Sequence, residues 1–243
     1  MFKPEDISPE KMLETGAHFG HQMRRWNPKM DEYRHATKNG VYVFDLFKTR
    51  ESLVEALNAI SEATSKGNKI LLVGTKKQIK ARIKQIGEET GVSYVDERWL
   101  GGTFSNFKQI RAAVDQLIEM ERQMKEGEFD DRTKKERLDI QRDIEKMEKK
   151  FGGLRDLKKT PDMMIIIDIY RERSAVKEAN GAKIKTVGIV DSNGNPELVN
   201  YPVPMNDDSP EALNYVLDLI SQALKAKPEP AKKATKKVAK KTK

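Results

Sequence analysis

Lys69-Ile70-Leu71-Leu72-Val73-Gly74-Thr75-Lys76 carries four apolar residues in a row and then breaks on a Gly-Thr turn. A strand with one wet face alternates apolar and polar residues. A strand covered on both faces does not. The run therefore reads as a fully buried strand. Met163 to Ile169 is more apolar still, and Thr186 to Val190 repeats the pattern. Val41 to Phe44 and Val92 to Val95 are shorter runs of the same kind. Helical stretches separate them. Thr49 is positioned to cap a helix with Leu53, Ala56, Leu57 and Ile60 on one face, and a second, from about Lys77 to Glu89, aligns Ile79, Ile83 and Ile86 and stops at Gly91. Ala175 to Ala179 makes a short helix. Ser209-Pro210-Glu211 opens a last one that buries Leu213, Val216, Leu217, Ile220 and Leu224. Buried strands alternating with helices predict an α/β fold with an open, doubly wound, mostly parallel sheet.

Residues 104–152 break that rhythm. Phe107, Ile110, Val114, Leu117 and Met124 form one narrow seam, and Ile140, Ile144, Met147 and Phe151 a second. A polar turn and the capping box Thr133-Lys134-Lys135-Glu136 lie between them. Seams of this width on adjacent helices predict an inserted antiparallel coiled-coil hairpin. The expected organisation is an α/β core from 1–103 and 153–224, the insertion at 104–152, and a tail at 225–243. At the front, Ser8-Pro9-Glu10 starts a short helix ending near Gly16. Residues 18–40 show little period and read as an irregular functional loop.

The net charge of +8 is unevenly placed. Nine of the 46 basic residues and one of the 38 acidic residues fall in 225–243, so the remainder is formally neutral. The tail's composition of Lys, Ala, Pro, Thr, Glu and Val predicts disorder and non-specific electrostatic affinity. Within the neutral body, His18 to Arg50 holds seven basic and three acidic residues, and Lys66 to Arg111 ten and four. Two basic stretches on a neutral body suggest a one-sided footprint for a polyanion. The absence of cysteine excludes a disulfide framework, a thiolate metal site and a thiol nucleophile. The first residues show no apolar signal region, and the expectation is a soluble cytoplasmic protein with no membrane partner.

Candidate chemistry is sparse. Asp168 and Asp191 follow apolar strands, where doubly wound folds place ligands, and Asp207-Asp208 sits in a later loop. An enzyme or nucleotide-binding protein using these acids is the alternative reading. Solubilising and capping roles are the preferred one. Gly74-Thr75-Lys76 lacks the upstream glycine of a phosphate loop. His18 and His21 lack an evident further ligand set, so no metal, cofactor or catalytic group is expected. The loop Arg24-Arg25-Trp26-Asn27-Pro28-Lys29 mixes cations, an amide and an aromatic, which suits phosphate contact and stacking on unpaired bases. Arg98-Trp99-Leu100-Gly101-Gly102 repeats the Arg-Trp pair. Each tryptophan either meets RNA or anchors the core. The balance favours RNA for the first loop and the core for Trp99. The RNA-binding candidates are Arg24, Arg25, Trp26, Lys29, Lys76, Lys77, Arg98, Trp99, Asn106 and Lys108.

Gly16-Ala17-His18-Phe19-Gly20-His21-Gln22 and Trp26-Asn27-Pro28-Lys29-Met30 resemble the opening signature of the bacterial small-subunit ribosomal protein S-two family. Lys69 to Lys76, Arg98 to Thr103 with Asn106, Leu154 to Asp156 before Pro161-Asp162, Lys177 to Asn180, Ile189 to Asn193 and Asn206 to Asp208 extend the resemblance in order, from about residue 8 to residue 224. The resemblance implies a flavodoxin-like domain with a coiled-coil arm and no catalytic activity. It implies binding to 16S-type small-subunit rRNA and to neighbouring ribosomal proteins, including the large multi-OB-domain protein S-one where present, rather than homo-oligomerisation. Three departures stand out. Lys183-Ile184-Lys185 replaces the usual Gly-Ile-Pro, Asn195-Pro196-Glu197 the common Asp-Pro-Asp, and Met205 a glycine.

Overall fold

The computed structural model describes residues 1–225. Almost all of the basic tail therefore lies outside the described residues. Seven α-helices and eight strands follow one another along the described chain: α1 Pro9–Glu14, β1 Phe19–Gln22, β2 Arg34–Lys38, β3 Val41–Phe44, α2 Leu46–Ser65, β4 Ile70–Val73, α3 Lys80–Thr90, β5 Ser93–Val95, α4 Phe107–Glu126, α5 Lys134–Phe151, β6 Met163–Ile166, α6 Arg173–Gly181, β7 Lys185–Val190, β8 Tyr201–Pro204 and α7 Pro210–Leu224.

Five strands form one sheet in the order β5-β4-β6-β7-β8, every neighbouring pair parallel. Numbered within the sheet this is the 2-1-3-4-5 order of flavodoxin-like folds. Side chains alternate faces along each strand. Ile70, Leu72, Ile165, Val187 and Val203 pack on one face under α2, α3 and α7. Leu71, Val73, Met164, Ile166 and Val190 pack on the other, under α6, the loop around Trp99 and Phe104, and the base of α4 at Val114. Both faces are dry, which is why the runs lack alternation. The doubly wound α/β expectation is met.

The front of the chain differs from expectation. Residues 18–40 are not an irregular loop. They supply β1 and β2, which flank β3 in a separate three-stranded antiparallel sheet. Val41 to Phe44 therefore lies outside the parallel sheet. Its burial alternates, with Tyr42 and Phe44 inward, because this sheet has one packed face. Gly20 in β1 lies against Ser192, where an added Cβ would come within 2.8 Å of the Ser192 hydroxyl. Bulk there would lift the small sheet off the large one. Asp45, not Thr49, caps α2, accepting from the amide of Phe47 at 3.0 Å. Thr49 is buried and donates to Pro204 O at 2.6 Å. β8 has no counterpart in the sequence reading. Its Tyr-Pro-Val-Pro run is tolerated because β8 is an edge strand.

Within 104–152, α4 and α5 pack on one another. Thr133 and Glu136 form the expected capping box, and Gly127 closes α4 with φ +77°. Arg155 ties the pair together through Glu121, at 2.6 Å, and Glu148. Only Val114 and Leu117 of the two seams are buried.

Lys183 has φ +56°, a left-handed conformation at the turn between α6 and β7. Glycine suits this position, and a residue with Cβ is strained there by about 1–2 kcal/mol. Lys183→Gly is expected to raise stability by about 0.5–1 kcal/mol, since glycine's greater unfolded freedom offsets part of the relief. A lower urea midpoint for the variant would contradict this. Met205 is fully buried in the core, and its amide donates to Val190 O at 3.1 Å. Its side chain fills apolar space that glycine would leave empty.

Candidate functional site

In an open α/β sheet, ligands bind beyond the carboxyl ends of the strands, where the order reverses. Here that point lies between β4 and β6. The chain leaves β4 as Gly74-Thr75-Lys76 and leaves β6 as Ile167-Asp168. Lys76 is 7% exposed, and its ammonium fills the crevice. It donates to Asp207 at 2.7 Å and Asp208 at 2.9 Å, and pairs with Asp168 at 3.0 Å. The acids after β6 and β8 are thus held by a lysine after β4. Asp191, after β7, accepts from its own neighbour Ser192 and from the amide of Asp207 at 3.1 Å. It also holds His21 Nδ1 at 3.0 Å. Thr75 donates to Glu172, and Arg171 Nε donates to Thr75 at 3.0 Å.

This network docks the small sheet on the large one. The His21 amide donates to Ser192 Oγ at 2.8 Å, and the Asn27 amide to Ser192 O at 2.7 Å. Asn206 binds the carbonyls of Ala17 and Gly16, at 3.0 and 2.9 Å. The strand-end acids singled out for an alternative catalytic reading are thereby given a structural role. Asp168 and Asp207 hold Lys76 in place, and Asp191 orients His21.

Two buried acids and the exposed Asp208 share one buried lysine, and the charges shift accordingly. Burial, with Asp191 and Asp168 close by, pushes the Asp207 carboxyl up to about 8. Lys76 is pulled down by burial, but Asp207 and Asp168 more than offset that and hold it above its usual range. The hydrogen bond to Asp191 raises His21. A raised group favours the folded state when protonated. The contribution of His21 is therefore complete below its ordinary value of 6.5 and is lost as pH rises through its folded value. That of Asp207 declines from its ordinary 3.8 to about 8. Stability is expected to fall between pH 6 and pH 8, by at most about 1.4 kcal/mol per pH unit for each proton released on unfolding. Urea midpoints at the two pH values measure this, and a rise would overturn the assignment. His21→Gln should flatten the fall.

The other candidates divide into two groups. Trp99 is 7% exposed, and its indole donates to Glu178 at 3.2 Å. Trp26 is half-buried beside Tyr42, with the Arg34 guanidinium 5.2 Å from its ring centre. Lys29 is paired with Glu197. Lys76, expected against a phosphate backbone, is turned inward. Arg24, Arg25, Lys77, Arg98, Asn106 and Lys108 are exposed. Arg24 and Arg25 lie on the turn after β1, Lys77 after β4 and Arg98 after β5. Asn106 and Lys108 stand at the start of α4. Arg171 and Arg173, after β6, join the exposed arginines at this end of the sheet, and the sequence reading missed them. Their only signal was position, just past a strand-end acid.

The fold and the filled crevice together define a flavodoxin-like α/β protein that occupies its own ligand position and presents arginines around it. The family model described as Ribosomal protein S2 matches residues 12–226, and the chain belongs to that family. It is accordingly a small-subunit ribosomal protein, of a family that is generally structural rather than enzymatic. Among the described residues no helix is long and apolar enough to cross a membrane.

Proposed function

We propose that this chain is a structural constituent of the small subunit that binds 16S-type rRNA through the carboxyl end of its parallel sheet. The observation that carries this reading is the separation of its cations. Lys76 is used internally, while Arg24, Arg25, Lys77, Arg98 and Lys108 face solvent. Exposed lysines and arginines neutralise phosphates and release counterions. Trp26 and Trp99 brace the loops that carry the arginines, and Asn106 and Lys29 extend the contact surface.

Residues 1–103 and 153–224 make up the α/β core in this reading, and 104–152 form a coiled-coil arm. The half-buried seams of α4 and α5, with Ile118 and Leu138 exposed, support an arm that meets neighbouring RNA or ribosomal proteins. The protein S-one is one such neighbour where it exists. The protein acts in the cytoplasm as one copy per subunit, without a cofactor.

Sedimentation of a cell extract at low magnesium tests the reading. The native protein should travel with the small subunit, and ribonuclease should release it. A free peak near the monomer mass, with none on the subunit, would overturn it.

A further inference from the structure

Three depressions adjoin across the carboxyl end of the parallel sheet. The first, about 310 Å³, lies between Arg24, Arg25 and His21. The second, about 450 Å³, is bounded by Arg25, Tyr170, Arg171 and Arg173. The third, about 360 Å³, lies between Arg171, Arg173 and Arg98. Shared walls make them one furrow, with Arg25 common to the first two and Arg171 and Arg173 to the last two.

The charges along this furrow are sorted. Its exposed carboxylates are already paired, Asp208 with the buried Lys76 and Glu97 with the half-buried Lys80. Arg24, Arg25, Arg98 and Arg173 form no ion pair among the described residues, whereas Lys29 and Arg171 close by each have a carboxylate partner. The arginine charge is thus free toward solvent at both ends of the furrow. α6 opens at the same place, and its N-cap, the buried Glu172, is turned inward and accepts from Thr75.

Between the two arginine groups stands Tyr170, 56% exposed. Its exposure is built in. Asp168 adopts φ +69°, a left-handed conformation unfavourable to a residue with Cβ. It is fixed there by the Arg171 amide, which donates to its carboxylate at 2.8 Å, and by Lys76. The reversal turns Ile169 into the core and Tyr170 out into the furrow. An aromatic ring held out of the core between unpaired guanidiniums matches a polynucleotide whose phosphates flank an unstacked base. A duplex offers phosphates but keeps its bases stacked inside.

We propose that this furrow binds a single-stranded RNA segment, with phosphates against Arg24 and Arg25 at one end and Arg98 and Arg173 at the other, and one base stacked on Tyr170. This rests on the rRNA-binding reading and goes beyond it, assigning Tyr170 and Arg173 and an unpaired partner.

The test uses the full chain and a short oligoadenylate RNA, free or annealed to its complement. The unpaired strand should bind more tightly than the duplex. Tyr170→Ala should weaken the unpaired strand alone, by about five- to a hundredfold, and Tyr170→Phe should restore it. Arg98→Ala with Arg173→Ala should weaken both and lower the salt dependence. Unchanged unpaired binding in Tyr170→Ala, or equal loss for strand and duplex, overturns the furrow. If that variant also sediments with the small subunit, the ribosomal reading stands without it. A wild-type chain that binds neither RNA overturns both.

Discussion

Lys76→Ala is expected to cost about 3–5 kcal/mol of folding stability, the range for breaking a buried ion pair from one side. The lysine is the common partner of Asp168 and Asp207, both buried, and of Asp208. Without it the buried Asp168 loses its ion-pair partner, and Asp207 loses the ammonium that donates to its side chain and its backbone carbonyl. Water must then enter the crevice, and the small sheet loses a floor to dock on. Urea unfolding at neutral pH measures the loss. Lys76→Met combined with Asp207→Asn should lose much less than the sum of the single changes, because it removes charge from both sides. A Lys76→Ala protein within about 1 kcal/mol of wild type would mean the cluster is hydrated and cheap to break.

Glu178→Ala is expected to be the second most damaging polar change, at about 2–4 kcal/mol. Glu178 on α6 accepts from the Trp99 indole at 3.2 Å and the Gly102 amide at 2.8 Å through one oxygen, and from the Phe104 amide at 2.9 Å through the other. One carboxylate therefore holds the whole loop that carries Arg98 and leads into α4. Glu178→Gln keeps an acceptor oxygen and should retain part of the stability. Loosening of the loop should appear as increased Trp99 fluorescence quenching by a soluble quencher. Quenching unchanged from wild type would show that Trp99 is held by packing against Phe104 alone.

The parallel sheet was legible because burial on both faces leaves a direct mark, an apolar run such as Ile70 to Val73. The cap at Thr133 and the stop at Gly91 were legible because they depend on residues a few positions apart. The small sheet was not. Arg34 to Lys38 is largely exposed and polar, and it becomes a strand only because Val41 to Phe44 lies beside it. Tertiary pairing overrode local pattern there. The candidate site was half legible for the same reason. Arg24, Arg25 and Arg98 could be picked out by composition. Nothing in the sequence distinguished Lys76, turned inward among acids far along the chain, from Lys77, which faces solvent. Glu178 and Tyr170 were equally silent, since what each does depends on residues far from it in sequence.

The helix pair interrupting the sheet also bears on the order in which the molecule assembles. Pairing β4 with β6 brings the Lys69 amide to Asp162, 93 positions away, and Lys76 closes on Asp207, 131 positions away. Contacts between α4 and α5 close far shorter loops and need none of the strands that follow. Local closure is the faster event. During synthesis the insertion should therefore form while β4 still waits for its partner, and its helices then bring the two halves of the sheet within reach. Pulsed hydrogen exchange on refolding should protect α4 and α5 amides ahead of those in β6. Simultaneous protection would instead mean the pair is held only by the finished sheet. Replacing the insertion with a flexible linker of equal length should slow refolding more than it speeds unfolding.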